Sequence, residues 1–137
     1  MIVVDTGAMV ALLDADEEHH EIFKELYEEN PTGWILPSAI LPEVDYIVSQ
    51  HLGAKAQELF LADLADGAFS VEWGRDEDLA VAQRLCARYR SLQIGFVDAM
   101  VMAAAERLKT DAIATLDLRH FAAVSIKRSP RLLPRDR

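Results

Sequence analysis

Four acids stand where a carboxylate can do chemistry: Asp5, Glu43, Asp98 and Asp117. Asp5 ends the run IVVDTGA, directly behind an apolar β-branched triplet that reads as a buried strand. Asp117 lies two residues beyond a second apolar strand ending near Thr115, in IATLD. Glu43 falls near the start of the helix that follows a strand over 34–36, and Asp98 in the first turn of a helix beginning near Phe96. Carboxylates gathered at one point repel and raise one another's pKa, so they stay ionised together only among cations. Oxygen-only donors favour hard ions such as Mg²⁺ or Mn²⁺. Such ions activate a water, hold a phosphate and stabilise a leaving oxygen in an in-line displacement. Each acid also has a bland reading. Asp5 is a favoured N-cap, Asp98 and Glu43 complement a helix dipole, and Asp117 is a turn former. Asp5 escapes its bland reading because it ends a strand that should be buried, and the four together at strand exits point to metal-assisted chemistry.

The elements that must position them alternate along the chain. After the strand over 2–4, Thr6 is expected to cap a helix to about Leu13. A helix over 17–29 turns Ile22, Phe23, Leu26 and Tyr27 inward, and Asn30, Pro31, Thr32 and Gly33 form a turn. Ser38 is expected to cap a helix to about His51, with Pro42 near its start because farther in it would break a backbone hydrogen bond. Gly53 separates this helix from one over 54–65. A strand over 68–73, a helix over 76–89, a helix over 97–109 and a strand over 112–115 follow. A last strand is expected over 124–127, and the proline-punctuated tail PRLLPRDR is expected to run over the surface. Strands separated by helices pair in parallel through right-handed crossovers, which predicts an α/β fold: a three-layer α/β/α sandwich with a mainly parallel central sheet. Ligands of such sheets bind at the carboxyl ends of the strands, where Asp5 and Asp117 stand and which the helices carrying Glu43 and Asp98 can reach.

The 137 residues suit one domain over 1–137 with a single core, and 51% hydrophobic against 27% charged residues is the balance of a globular protein. No apolar run approaches a membrane span, and the N-terminus lacks the basic start of a signal peptide. Cys86 is the sole cysteine, which excludes an internal disulfide and suits a reducing, cytoplasmic setting. Its apolar neighbours mark it as a structural thiol. The net charge of −9 argues against a nucleic-acid partner until its distribution is read. Residues 1–70 hold 14 acids and 2 Lys or Arg, for −12, whereas 79–137 hold 5 and 11, for +6. That asymmetry permits a cationic surface for phosphates on an acidic molecule.

The chain resembles PIN-domain ribonucleases, most closely the toxins of VapBC-type toxin–antitoxin pairs. The likeness rests on IVVDTGAMVALLDADEEHH, SAILPEVDYIV, GFVDAMVMAAAERL and IATLDLRHFAAV, and covers essentially the whole chain. It implies that Asp5 and Asp98 are principal Mg²⁺ ligands, that Glu43 completes the site, and that Asp117 is the acid of the fourth block. Thr6 and Thr115 match small polar positions whose hydroxyls orient a carboxylate or water. It further implies cleavage of RNA, often tRNA or rRNA, a homodimer, and a cognate antitoxin that blocks the site; that antitoxin is expected to place a basic side chain among the acids. The apolar surfaces of the helices over 38–65 are the expected dimer or antitoxin contacts. One departure stands out: relatives often carry a further acid shortly after the fourth-block Asp, and here Arg119 and His120 follow instead. Arg119 reads as an exposed residue of no special role in preference to an RNA-phosphate contact, and His120 as surface or half-buried in preference to a general acid; His19 and His20, adjacent on a helix, cannot readily share one ion. A phosphatase using Asp5 as nucleophile would want a second acid at position 7, which is glycine. A receiver-like phospho-acceptor would want an acidic pair before its strand-end Asp and a late lysine, neither of which is convincing here. A catalytically silent PIN-type binding module or antitoxin-bound dimerisation protein would be expected to lose one of the four acids, yet all are present.

Overall fold

The structure, a computed structural model, describes residues 1–137. Five strands form one parallel sheet: β1 (Ile2–Val4), β2 (Trp34–Pro37), β3 (Ser70–Glu72), β4 (Ala112–Ala114) and β5 (Arg131–Leu133), in the order β3-β2-β1-β4-β5. The chain steps outward from β1 through β2 to β3, then crosses back to β4 and steps outward the other way. With right-handed crossovers, that reversal places the early helices on one face and the later ones on the other. Thus α1 (Thr6–Leu13), α2 (His20–Glu29), α3 (Leu41–His51) and α4 (Ala54–Ala65) pack against one another, and α5 (Asp76–Arg88) packs against α6 (Phe96–Leu108). The three-layer parallel sandwich expected from the sequence is the architecture found. No helix is long and apolar enough to cross a membrane.

The core explains the register of the elements. Val3, Val4, Ile113 and Ala114 are fully buried at the centre of the sheet, where both faces are covered and the strands read as continuous apolar runs. Helix α6 buries Ala99, Val101, Met102, Ala103, Ala104 and Ala105, apolar nearly all round, as befits a helix enclosed between sheet and α5. Its far end is fastened by Arg107, which donates to Asp78 at 2.9 Å and to Glu72 at 2.7 Å, joining α6 to α5 and β3. The guanidinium holds both carboxyls below their ordinary pKa, in Asp78 against the opposing effect of burial.

Several expectations need correction. Residues 124–127 are not a strand; the fifth strand is β5, inside the tail expected to lie on the surface. Ser125 N–H donates to Tyr89 Oη and Lys127 N–H to Glu106 Oε1, so side chains capture donors that a ladder would require. Val124 and Ile126 are buried as plugs instead. Arg128 and Ser129, at φ 70° and 44°, then reverse the chain so that Leu132 and Leu133 bury against β4. Thr6 does not cap α1: the cap is Asp5, and Thr6 is the first helical residue. Ser38 caps nothing; it opens a 3₁₀ turn, its hydroxyl donates to the Trp73 carbonyl, and α3 begins at Leu41 with Pro42 in its first turn. Helix α2 begins three residues later than expected, at His20. A short helix unforeseen in the sequence, α7 (Leu118–Phe121), follows β4.

Candidate active site

Strand order reverses between β1 and β4, and the residues leaving these two strands build the site. The last rungs of the ladder fix them: Asp5 N–H donates to the Ala114 carbonyl at 2.9 Å and Thr115 N–H to the Leu133 carbonyl at 3.0 Å. Asp5 is 5% exposed, and both of its oxygens are engaged. Oδ1 accepts from Thr6 N–H at 2.7 Å and Oδ2 from the Thr115 hydroxyl at 2.9 Å. The same Thr115 oxygen accepts the Asp117 N–H at 2.9 Å, so one buried hydroxyl sets the position of two acids. Asp117 caps α7, with Oδ1 accepting from His120 N–H at 3.1 Å. Asp98 is the third residue of α6, at the end of the helix whose unpaired N–H groups favour a negative charge.

Asp5, Glu43, Asp98 and Asp117 all line one cleft of about 410 Å³, with Thr6, Gly7, Ile47 and Leu116. Every acid singled out in the sequence is brought to it. Burial, reinforced by the charges of Asp98 and Asp117, pushes the Asp5 carboxyl up to about 6 against the pull of the Thr115 bond. Asp98 is likewise raised, by burial and then by Asp117, with Glu43 adding to the repulsion and His120 opposing it. Glu43 is exposed on the first turn of α3 and reaches the cleft from the other side. The set is rich in oxygen donors and short of positive charge, which suits a divalent cation. A further observation agrees: the hydroxyl of Thr6, a residue 5% exposed that lines the cleft, has no hydrogen-bond partner.

The residue that the sequence undervalued is His120. Its Nδ1 lies 2.9 Å from Asp117 Oδ2 and 3.2 Å from Asp98 Oδ2, and its Nε2 lies 2.9 Å from the Leu92 carbonyl oxygen. Burial pulls its pKa down, but Asp117, the Leu92 carbonyl and Asp98 together raise it above the ordinary histidine value. A signal was available, since position 120 is three residues beyond Asp117 and therefore sits over that carboxylate once a helix starts at Leu118. Arg119 is exposed and makes no ion pair, as expected. His20 Nδ1 meets the Ala11 carbonyl and His19 meets Glu17, so the two share no site. Cys86 is half-buried with its thiol toward the Ile94 carbonyl.

A second cleft, of about 560 Å³, lies between α5 and the segment after α7 and is lined by Arg84, Arg88, Lys127, Glu106, Val81, Leu85 and Ser125. Three of its seven lining side chains are cationic and one is acidic, which the charge asymmetry of the chain permits. Its α5 wall leads through Tyr89 to the 90–93 loop, whose Leu92 carbonyl holds His120.

The chain is similar to known proteins in sequence and in fold. The family model described as PIN domain matches residues 2–127. Ribonuclease VapC26 of Mycobacterium tuberculosis is 31% identical over 123 residues, covering 90% of this chain and 91% of that protein. The solved structure of M. tuberculosis VapC20, described as a sarcin–ricin loop cleaving toxin, superposes with a TM-score of 0.81 at 21% identity, covering 92% of this chain and 96% of that one. VapBC2 from Rickettsia felis, solved bound to a promoter DNA fragment, gives 0.70 at 17% identity over 96% of this chain and 97% of that one. FitAcB from Neisseria gonorrhoeae gives 0.67 at 17% identity over 96% of each. At these identities the solved structures speak for the fold.

Proposed function

The chain belongs to the PIN-domain family, among its VapC-type ribonucleases, and from that premise we propose that it is the toxin of a type II toxin–antitoxin pair, a divalent-cation-dependent endoribonuclease whose active site is Asp5, Glu43, Asp98 and Asp117. The observation that carries this reading is the convergence of all four acids on one cleft at the β1–β4 switch point, with Asp5 buried and its pKa raised. In it, Asp5 and Asp98 hold the cation, with Glu43 and Asp117 completing the ligand set. A bound Mg²⁺ or Mn²⁺ supplies charge neutralisation, polarises the phosphodiester and makes a nearby water a better nucleophile.

The chain's own residues do the positioning. Thr115 fixes the Oδ2 of Asp5 and the backbone of Asp117, and Thr6 N–H fixes the Oδ1 of Asp5. Holding the carboxylates in place before substrate arrives removes reorganisation from the barrier. Glu43, the most accessible of the four, stands where a water and the scissile phosphate enter. Arg84, Arg88 and Lys127 offer phosphate contacts for RNA away from the acids, which otherwise repel a polyanion.

The substrate we propose is RNA, of the tRNA or rRNA class, cleaved in the cytoplasm. Its inhibitor is a cognate VapB-type antitoxin that places a basic side chain among the acids. A homodimer completes the assembly, and the whole of 1–137 serves as a single PIN domain. The α3–α4 side supports a protein contact, since Leu13, Val48, Leu52, Ala56, Leu59 and Phe60 line an apolar cleft there of about 210 Å³. The test is cleavage of total RNA followed by sequencing of the new ends. We expect EDTA to stop cleavage, Mg²⁺ or Mn²⁺ to restore it, and Asp98→Asn to abolish it. Cleavage that survives full chelation would defeat the cation reading, and no cleavage of any RNA under either ion would favour a silent binding module.

A further inference from the structure

We propose that His120 is itself a ligand of the divalent cation, through Nδ1, making the site a mixed nitrogen–oxygen centre that favours first-row transition ions such as Mn²⁺ over Mg²⁺. The proposal rests on the reading of the cleft as a divalent-cation site, and goes beyond it by adding a fifth residue and an ion preference.

The imidazole is held between acceptors. On one side a carbonyl, which only accepts, lies 2.9 Å from Nε2, so Nε2 carries a hydrogen. On the other side Nδ1 faces Asp117 Oδ2 and Asp98 Oδ2, at 2.9 and 3.2 Å, and ionised carboxylates also only accept. With Nε2–H given to the Leu92 carbonyl, Nδ1 faces two carboxylate oxygens, so either a proton or a metal cation lies among the three atoms. Nδ1 and one oxygen from each carboxylate lie within 4.8 Å of one another. Adjacent ligands of an octahedral ion with bonds of about 2.1 Å are roughly 3 Å apart, the spacing from Nδ1 to each oxygen. The Leu92 carbonyl is the kind of outer partner that fixes the tautomer of a metal-bound histidine and raises its basicity. The cleft that Asp98 and Asp117 share with Thr6 adjoins His120, and the buried, unpartnered Thr6 hydroxyl is an independent sign that a polar ligand belongs there. Carboxylate oxygen suits Mg²⁺ and Mn²⁺ alike, and an added imidazole nitrogen moves the site from the alkaline-earth ion toward the first-row series to which Mn²⁺ belongs.

The rival arrangement is a proton on Nδ1, which makes His120 an ion-pair partner of the two acids rather than a ligand. Pulsed electron paramagnetic resonance of the full chain with Mn²⁺ as the sole added ion separates the two, at one fixed pH. Echo-envelope modulation from a directly bound ¹⁴N is expected in the native protein. It should persist in the H19Q/H20Q/H51Q variant, where His120 is the only remaining histidine, and vanish in His120→Asp. In a competition titration the preference for Mn²⁺ over Mg²⁺ should fall about tenfold or more in His120→Asp, the range over which partners of a metal site commonly act. Bound Mn²⁺ without nitrogen modulation would overturn the proposal while leaving the cation site standing. Modulation that survives His120→Asp would overturn it equally, by assigning the nitrogen elsewhere. No Mn²⁺ binding at millimolar ion would remove both the proposal and the reading beneath it. If His120→Asp does not fold, the H19Q/H20Q/H51Q spectrum decides alone: modulation supports His120, and its absence refutes it.

Discussion

A buried acid destabilises the fold that holds it, and Asp5 lets that cost be measured. Its carboxyl ordinarily ionises near 3.8 and here near about 6, chiefly through burial. Between these values the folded chain binds more protons than the unfolded one, so stability falls as pH rises through that window and levels off above it. The difference corresponds to about 3 kcal/mol lost by the cation-free protein at neutral pH. Asp5→Asn removes the charge and keeps an oxygen for the Thr6 N–H. Its new amide must share the Thr115 hydroxyl, which already accepts the Asp117 N–H, at a cost of about 1 kcal/mol. In urea unfolding with EDTA at about pH 7.5, Asp5→Asn should therefore be more stable than the native chain by about 2 kcal/mol. The advantage should vanish and then reverse, to a deficit of about 1 kcal/mol, as pH is lowered to about 4, where the native Asp5 is protonated in the fold. Saturating Mn²⁺ should reverse the order, because only the native chain gains fully from binding. An Asp5→Asn protein that is no more stable in EDTA at neutral pH, or an advantage indifferent to pH, would refute the reasoning.

Other perturbations probe the supporting parts. Thr115→Val, nearly isosteric and fully buried, should leave the circular dichroism spectrum intact and lower single-turnover RNA cleavage about 10- to 100-fold, by freeing Asp5 and Asp117 from their common hydroxyl. Arg107→Met leaves Asp78 and Glu72 without their cation and should cost about 3 kcal/mol in chemical denaturation. Because both carboxyls are held below their ordinary pKa, the native contribution is present above the usual carboxylate range and lost as pH falls through the lowered values. Arg107→Met should accordingly flatten the acid limb of a melting-temperature profile. R84E/R88E should weaken RNA binding, measured by fluorescence anisotropy on the inactive Asp98→Asn background, and reduce the salt dependence by about two phosphate contacts. An unchanged salt slope would place the RNA elsewhere.

Much of this was legible because local and tertiary preferences agree. Ile2 to Val4 is β-branched and apolar, ends in an acid, and can only be a buried strand that stops at a polar rim. The bounds of α4 match the expectation because Gly53, at φ 95°, breaks the chain before it and Asp66 and Gly67 end it. The failures lie where distant contacts decide. Residues 131–133 carry arginine and flanking prolines, marks of a surface tail, and become a strand only because β4 presents an open edge to Leu132 and Leu133. Residues 124–127 alternate like a strand yet give their backbone donors to side chains of α6 and Tyr89. The four acids that the sequence singled out line one cleft because strand exits and helix starts lie on the same rim of the sheet. His120 was not singled out, because its place depends on a one-turn helix after Asp117 and on the Leu92 carbonyl 28 residues away in the chain, for which no local pattern exists.

The most direct test of the central claim is diffraction from crystals grown with Mn²⁺, recorded where manganese scatters anomalously. An anomalous peak within bonding distance of both Asp5 and Asp98 is the expected result. Full Mn²⁺ occupancy at some other place on the molecule, with Asp5 and Asp98 touching no ion, would contradict it.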